Sequence, residues 1–252
     1  WAMTAIDLRR SMGWLLAVAA AANAAQYILG NYSSLLGPAN ALMAFEYGRN
    51  FVLMGWLAPA LCALPYCVGF CMDWKSGFAI PQLLQVGRKR FIKSKLLAAG
   101  VSGGAVFALG TLIFFGVCCA FLGLDGYREA FGHLTTGTHA MVHTNLAVYI
   151  AGMAGLQFLG GATYALFSLA FSAYHPNPYF ALVVPMLVSD LSVLLSARLN
   201  LPSYMNIGML ADGAVNLSFA GAMIAGLCVF GSLIARCCGL FSLGVRRRIE
   251  NG

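Results

Sequence analysis

Charge is what this chain has least of. Asp, Glu, Lys and Arg together make up 9% of its 252 residues, where a soluble domain carries about a quarter. Acid is scarcer than base, with 8 Asp and Glu against 15 Lys and Arg and a net charge of +7. So few charged residues cannot cover the surface of a water-soluble protein of this size. Histidine is sparse as well, at four residues. His139 and His143 stand at helical spacing, but two imidazoles with no third ligand make a poor metal site. No G-x-x-x-x-G-K-[S/T] occurs, so a phosphate-cradling loop of that kind is excluded. The eight cysteines (Cys62, Cys67, Cys71, Cys118, Cys119, Cys228, Cys237 and Cys238) contain no C-x-x-C pair and lie in or beside apolar runs. Small buried hydrophobes explain them, although Cys237 and Cys238, next to Arg236, are also placed for lipid attachment.

Apolar residues fill the rest, at 60% of the chain. A helix crossing the hydrocarbon core needs roughly 20 of them. Six runs qualify: Met12 to Gly30, Phe51 to Met72, Leu96 to Leu124, Met141 to Tyr174, Tyr179 to Leu199 and Ala214 to Ala235. The second contains Pro59 and Pro65, which membrane helices tolerate when neighbours satisfy the freed carbonyls. In a six-span reading, all of the 15 Lys and Arg except Arg49, Arg128 and Arg198 fall on one side. Cytoplasmic loops carry that excess, so both termini are expected inside a plasma membrane, in a bacterium. Topology and attraction to anionic lipid headgroups account for the basic balance, and no nucleic acid is needed.

The longest polar stretch, "DWKSGFAIPQLLQVGRKRFIKSK", joins the second and third spans on the basic side. Ser76 and Gly77 break the preceding helix, and Pro81 suits the first turn of a new one. Ile80, Leu83, Leu84 and Val86 give that short helix an apolar side, and Gly87 turns the chain back. A short helix hung beneath the bilayer on two long ones can act as a lever. The bland alternative is a basic loop that anchors helix ends.

The same stretch, continued to Val101, resembles the cytoplasmic segment of ABC transporter permeases of the type-2 export class. Asp73, Gly77, Arg88, Arg90 and Lys95 match its acidic helix end, turn, basic run and closing lysine. "WAMTAIDLRRSMGW" similarly resembles the family's amphipathic interface helix, with Trp1, Ile6 and Leu8 at the headgroups beside Arg9 and Arg10. The resemblance implies an all-α polytopic permease domain over residues 1–252. It would have six spans, both termini inside, a coupling helix between spans two and three, and no nucleotide-binding domain. It implies coupling to an ATPase through Gly77, Ile80, Pro81, Leu83, Leu84, Val86, Arg88 and Arg90. A second contact would lie at His175, Pro176 and Asn177, in a short turn. The partners implied are two copies of an ATP-binding ABC subunit, which holds ATP and Mg, and a second permease chain, identical or homologous. The chain itself would carry no cofactor. The cargo class implied is an amphipathic, peptide or lipid-like molecule, in antibiotic-peptide immunity or drug efflux.

Asp190 is the acid nearest the middle of a span. A carboxylate there costs a few kcal/mol on insertion scales, so it is expected to face the bundle interior, served by Ser189, Ser192 or Asn216. Asp190 and Asn216 are accordingly candidates for a substrate pathway or for packing. Gly100 with Gly104, Ala151 with Gly155, and Ala222 with Gly226 are small-residue pairs suited to close helix approach. Packing within one subunit is the favoured reading of them. "LNLPSYMNIGMLADG" suits a short re-entrant turn. Two rivals stand beside the exporter. "GVSG" at Gly100 to Gly103 fits the nucleophile motif of rhomboid-type intramembrane proteases, with Ser102 needing a histidine base in reach. A non-catalytic scaffold or immunity protein would need no ATPase at all.

Overall fold

The computed structural model describes residues 13–30, 40–50, 57–124 and 145–251. Among them the chain is helical: α1 (Trp14–Gly30), α2 (Ala41–Asn50), α3 (Leu57–Ala63), α4 (Cys67–Lys75), α5 (Ala79–Val86), α6 (Arg88–Leu122), α7 (Leu146–Tyr174), α8 (Pro178–Arg198), α9 (Ile207–Ala211) and α10 (Phe219–Asn251). Four of these, α6, α7, α8 and α10, are long and apolar enough to cross a membrane, and a fifth crossing arises if α3 and α4 form one bent span. The segment expected to be an amphipathic interface helix, and His139 and His143, lie outside the described residues.

Helix α7 is the axis. It packs against α6, α10, α8, α3 and the short α9, and half of its most apolar window is buried. Two glycines set how closely α6 approaches it. A Cβ added at Gly103 would lie 2.8 Å from the Gly161 carbonyl, 3.1 Å from the Cys62 carbonyl, and closer still to Ala165 Cβ. One added at Gly161 would lie 2.5 Å from the Gly103 carbonyl. The backbones are thus nearly in contact, which supplies dispersion where lipid offers no hydrophobic drive. Gly104 lies beneath Phe158, and Gly226 beneath Leu156, so these two serve packing within the chain; Gly155 faces open space.

The second expected span is not a straight helix. It breaks between α3 and α4 with a 52° bend. Pro65 falls in the break, where its missing N–H and its ring would otherwise disturb a helical turn. The third begins eight residues early: the basic run is the opening of α6 itself, started at Gly87. The sixth runs on past Ala235 to Asn251, about 50 Å of helix, so Arg246 to Arg248 ride on its end. The four-residue pair Arg246–Glu250 closes at 2.7 Å there.

Helix α2 lies between the first two expected spans, outside all six apolar runs. Asn40 caps it by accepting the Met43 N–H at 2.9 Å, and the Ala41 N–H reaches the Gly123 carbonyl at the end of α6. Phe45 packs on Phe114 and Phe115, with ring centroids 5.8 and 5.2 Å apart. The Glu46 carboxylate accepts the Tyr149 hydroxyl at 2.5 Å. The stretch expected to make a short re-entrant turn folds into a 3-10 turn (Ser203–Met205) and α9, and α9 packs back against α7. Asn206 caps α9 by accepting from Gly208 N and Met209 N. A Cβ on Gly160 would lie 2.8 Å from Ala211 Cβ, and Gln157 Nε2 donates to Asp212 Oδ1 at 2.6 Å.

Candidate functional site at the basic end of the bundle

Lys75, Arg88, Lys89, Arg90, Lys93, Lys95 and Arg246 to Arg248 lie together at one end of the helices, and α5 hangs there. Its suspension is built by two turns. Gly77, at φ +75°, and Gly87, at φ +81°, hold the left-handed backbone that glycine adopts without strain. The Ser76 hydroxyl donates to the Asp73 carbonyl at 3.2 Å, and the Gly87 N–H returns to the Leu83 carbonyl at 3.0 Å.

Helix α5 has an inner and an outer side. Ala79 and Leu83 are buried. Phe78, Ile80 and Leu84 face out, at 57, 55 and 77% exposure. Pro81 is exposed and Val86 half-buried. Arg88 and Arg90, one turn further on, are exposed on α6. The inner side is clamped by Lys95. This lysine is 1% exposed; its Nζ donates to Gln82 Oε1 at 3.2 Å and lies 5.3 Å from the Phe91 ring centroid and 5.7 Å from that of Tyr66. Asp73 is also buried, at the end of α4. A buried ammonium is expensive unless its donors are matched, so this group fixes where α5 sits. Lys95→Ala should release it: amide exchange over 79–86 should quicken at least about tenfold, from the loss of roughly 1.5–3 kcal/mol expected for a broken charged hydrogen bond. Hydrogen exchange read by mass spectrometry checks this, and unchanged protection would refute the clamp.

Beside α5 lies a cavity of about 620 Å³. Ile80, Leu83 and Leu84 form one wall, and Arg247, Arg248 and Ile249 of α10 the other. Arg248 Nη2 donates to the Tyr174 carbonyl at 2.8 Å, and its guanidinium lies 5.3 Å over the Trp74 ring. Gly244 lets α10 close on Ala173 and Tyr174. The end of α10, Trp74 and Tyr174 thus join the site. Sequence reading missed all of these, because a helix running past its expected span end leaves no break in the sequence.

The turn after α7 borders the same region through Tyr174. His175 is exposed, with its ring 5.6 Å from that of Phe171. Asn177 caps α8 by accepting the Tyr179 N–H at 3.2 Å, and Pro176 is half-buried. The structure therefore brings α5 and the 175–177 turn to the same end of the bundle, linked through Tyr174. It does not bring Asp190 or Asn216 to it.

Asp190 departs from expectation. It is exposed on α8, because its helical face points away from α7. Ser189 is engaged by the Tyr164 hydroxyl at 3.4 Å, and Ser192 donates to the Ser189 carbonyl at 2.7 Å. Asn216 is exposed ahead of α10. Among the described residues the buried acids are instead Asp73 and Glu46, the latter against Tyr149, while half-buried Asp212 is held by Gln157.

Ser102 is fully buried on α6 and donates to the Ala99 carbonyl at 3.2 Å. His175 is the described histidine. It lies about 15 Å of helix rise below Ala165, the residue that packs on Gly103. Among the described residues no group of His, Cys, Asp and Glu is arranged to hold a metal. The chain matches no protein-family model, no curated protein and no solved structure.

Proposed function

We propose that this chain is the transmembrane subunit of an ATP-driven ABC exporter, with six spans, both termini cytoplasmic and the basic end facing the cytoplasm. A separate ATP-binding subunit burns the fuel. Its closure pushes α5, and α5 passes that motion through α4 and α6 into the bundle. The single observation that supports this reading is the outer side of α5. Phe78, Ile80 and Leu84 stand exposed on a helix whose inner side is clamped at Lys95 and Leu83. A loop that only anchored helix ends would have no reason to present a row of large apolar side chains on a rigid, two-turn element. The flanking Arg88 and Arg90 suit an acidic groove rim. The cargo class, amphipathic, peptide or lipid-like, follows from the apolar helix faces and the family resemblance.

The test is purification from source membranes, with reconstitution into proteoliposomes. The reading expects an ATP-binding subunit in stoichiometric complex and a hydrolysis rate that changes when this chain is present. A chain that purifies without such a subunit, and whose presence leaves hydrolysis unchanged, would favour the scaffold instead.

A further inference from the structure

The cavity between α5 and the end of α10 has the make-up of a ligand site. Its volume of about 620 Å³ falls within the roughly 300–1,000 Å³ of such sites, which are mostly apolar with a few placed polar groups. The charged residues on its walls, Arg247 and Arg248, are both cations, and no acid lines it. Glu250, further along α10, is paired to Arg246 at 2.7 Å. Arg248 is held in place: its guanidinium lies 5.3 Å over the Trp74 ring, and its Nη2 donates to the Tyr174 carbonyl at 2.8 Å. A guanidinium carries five donors, and a bond to a neutral carbonyl leaves its charge in place. Two guanidiniums on one wall, one of them fixed, suit the oxygens of a phosphate.

The rest of the lining chooses the kind of phosphate. Ile80 and Leu84 of α5 and Ile249 of α10 border the cavity with large apolar side chains that are still exposed. A small soluble phosphate ester would leave these side chains wet. A diacyl lipid covers them with its glycerol and its first chain carbons. The level fits as well. The cavity lies at the basic end of the helices, where anionic headgroups attract Lys and Arg, and it is bordered by Trp74 and Tyr174, the ring types that sit at headgroup level. Arg88 and Arg90, exposed on α6, share the diffuse attraction but do not line the cavity.

We infer that this cavity binds one phospholipid with an anionic headgroup, its phosphate on Arg247 and Arg248 and its upper chains against Ile80, Leu84 and Ile249. The lipid then bridges α5 to α10, so its presence steadies the position of α5. The inference rests on the part of the proposed function that puts the basic end at a bilayer surface, and it uses no ATP-binding subunit.

Lipid retention tests it. The chain alone, in a neutral detergent, is offered equal amounts of dioleoyl phosphatidylglycerol and dioleoyl phosphatidylcholine, and native mass spectrometry counts what stays bound. Wild type should retain one phosphatidylglycerol, preferred at least about tenfold over phosphatidylcholine. Arg247→Gln with Arg248→Gln should lose that preference. Arg88→Gln with Arg90→Gln, which removes as much charge from the same end, should keep it. Arg248 also holds Tyr174, so Arg247→Gln alone covers a failure to fold: it should bind the lipid at least about threefold more weakly and melt as wild type does. Glycerol 3-phosphate in about tenfold excess should not displace the lipid. Amide exchange over 79–86 should slow at least about threefold when phosphatidylglycerol is added. A wild type that keeps no phosphatidylglycerol or holds both lipids equally overturns the inference. So does an affinity that the changes at Arg247 and Arg248 leave unmoved, or one that falls as far in the Arg88 and Arg90 variant. Displacement by glycerol 3-phosphate, or exchange that the lipid leaves unchanged, overturns it too. No ATP-binding subunit is present, so failure of the coupling proposal leaves these results unmoved.

Discussion

Gly103→Leu should yield no stable folded chain, and Gly103→Ala should fold with a melting temperature lower by about 10 °C. The added Cβ has nowhere to go. It meets the Gly161 and Cys62 carbonyls and Ala165 Cβ, and two of those three are backbone, which cannot rotate aside. Overpacking of this kind costs about 1–3 kcal/mol and more when backbone must move. In a chain of this size each kcal/mol is worth roughly 2–4 °C, and total stability is only about 5–15 kcal/mol. Gly155→Ala is the control. Nothing lies within 4 Å of the added atom, so the variant should melt at or slightly above the wild-type temperature, alanine being the better helix former by about 1 kcal/mol. Melting of the purified chain in detergent, followed by size exclusion, measures all three. Equal melting of Gly103→Ala and Gly155→Ala would refute the α6–α7 contact as the seam of the fold.

The second large effect concerns function. Ile80→Glu combined with Leu84→Glu should abolish coupled transport, by at least about a hundredfold, while the bundle melts as in wild type. Both side chains face out, so nothing inside the chain is lost. Leu83→Glu should behave differently. Leu83 is buried beneath α5, and a carboxylate there costs several kcal/mol unless it is neutralised, so α5 should detach and stability should fall too. Drug or peptide efflux from vesicles, read beside melting, separates the two cases. Transport that survives the outer pair would dismiss α5 as the handle.

The sequence-level reading was accurate where hydropathy alone decides and less so where contacts decide. Helices α7 and α8, and the far end of α6, were legible within a few residues, because long apolar runs bounded by charge leave few choices; the start of α6 was not, because its first turns are the basic run itself. The turns at Gly77 and Gly87 were legible for the same local reason: a glycine stands where the chain must adopt positive φ. Helix α2 was not. It is short, follows Gly37–Pro38, and carries Glu46, whose burial depends on a hydroxyl on Tyr149, over a hundred residues away in the chain. The orientation of α5 was half legible. Ile80, Leu83 and Leu84 read as one apolar side, whereas Leu83 turns in and the other two turn out, a split that Lys95 and Gln82 impose. Asp190 was misread by a general rule. The rule sends a membrane carboxylate inward to find a partner, but the serines beside it are spent on Tyr164 and on the backbone of α8. Asp212 lies in the stretch read only as a short re-entrant turn, and nothing local shows that the fold-back of α9 brings it against Gln157.

The central claim is that α5 lies on the cytoplasmic side and bears on an ATP-binding subunit. Leu84→Cys, in a Cys228→Ser background, tests it in membrane vesicles of known sidedness with a membrane-impermeant maleimide. The account predicts labelling from the cytoplasmic face only, with the rate falling at least about tenfold once the ATP-binding subunit is bound. Labelling from the outer face, or a rate that the subunit leaves unchanged, would contradict it.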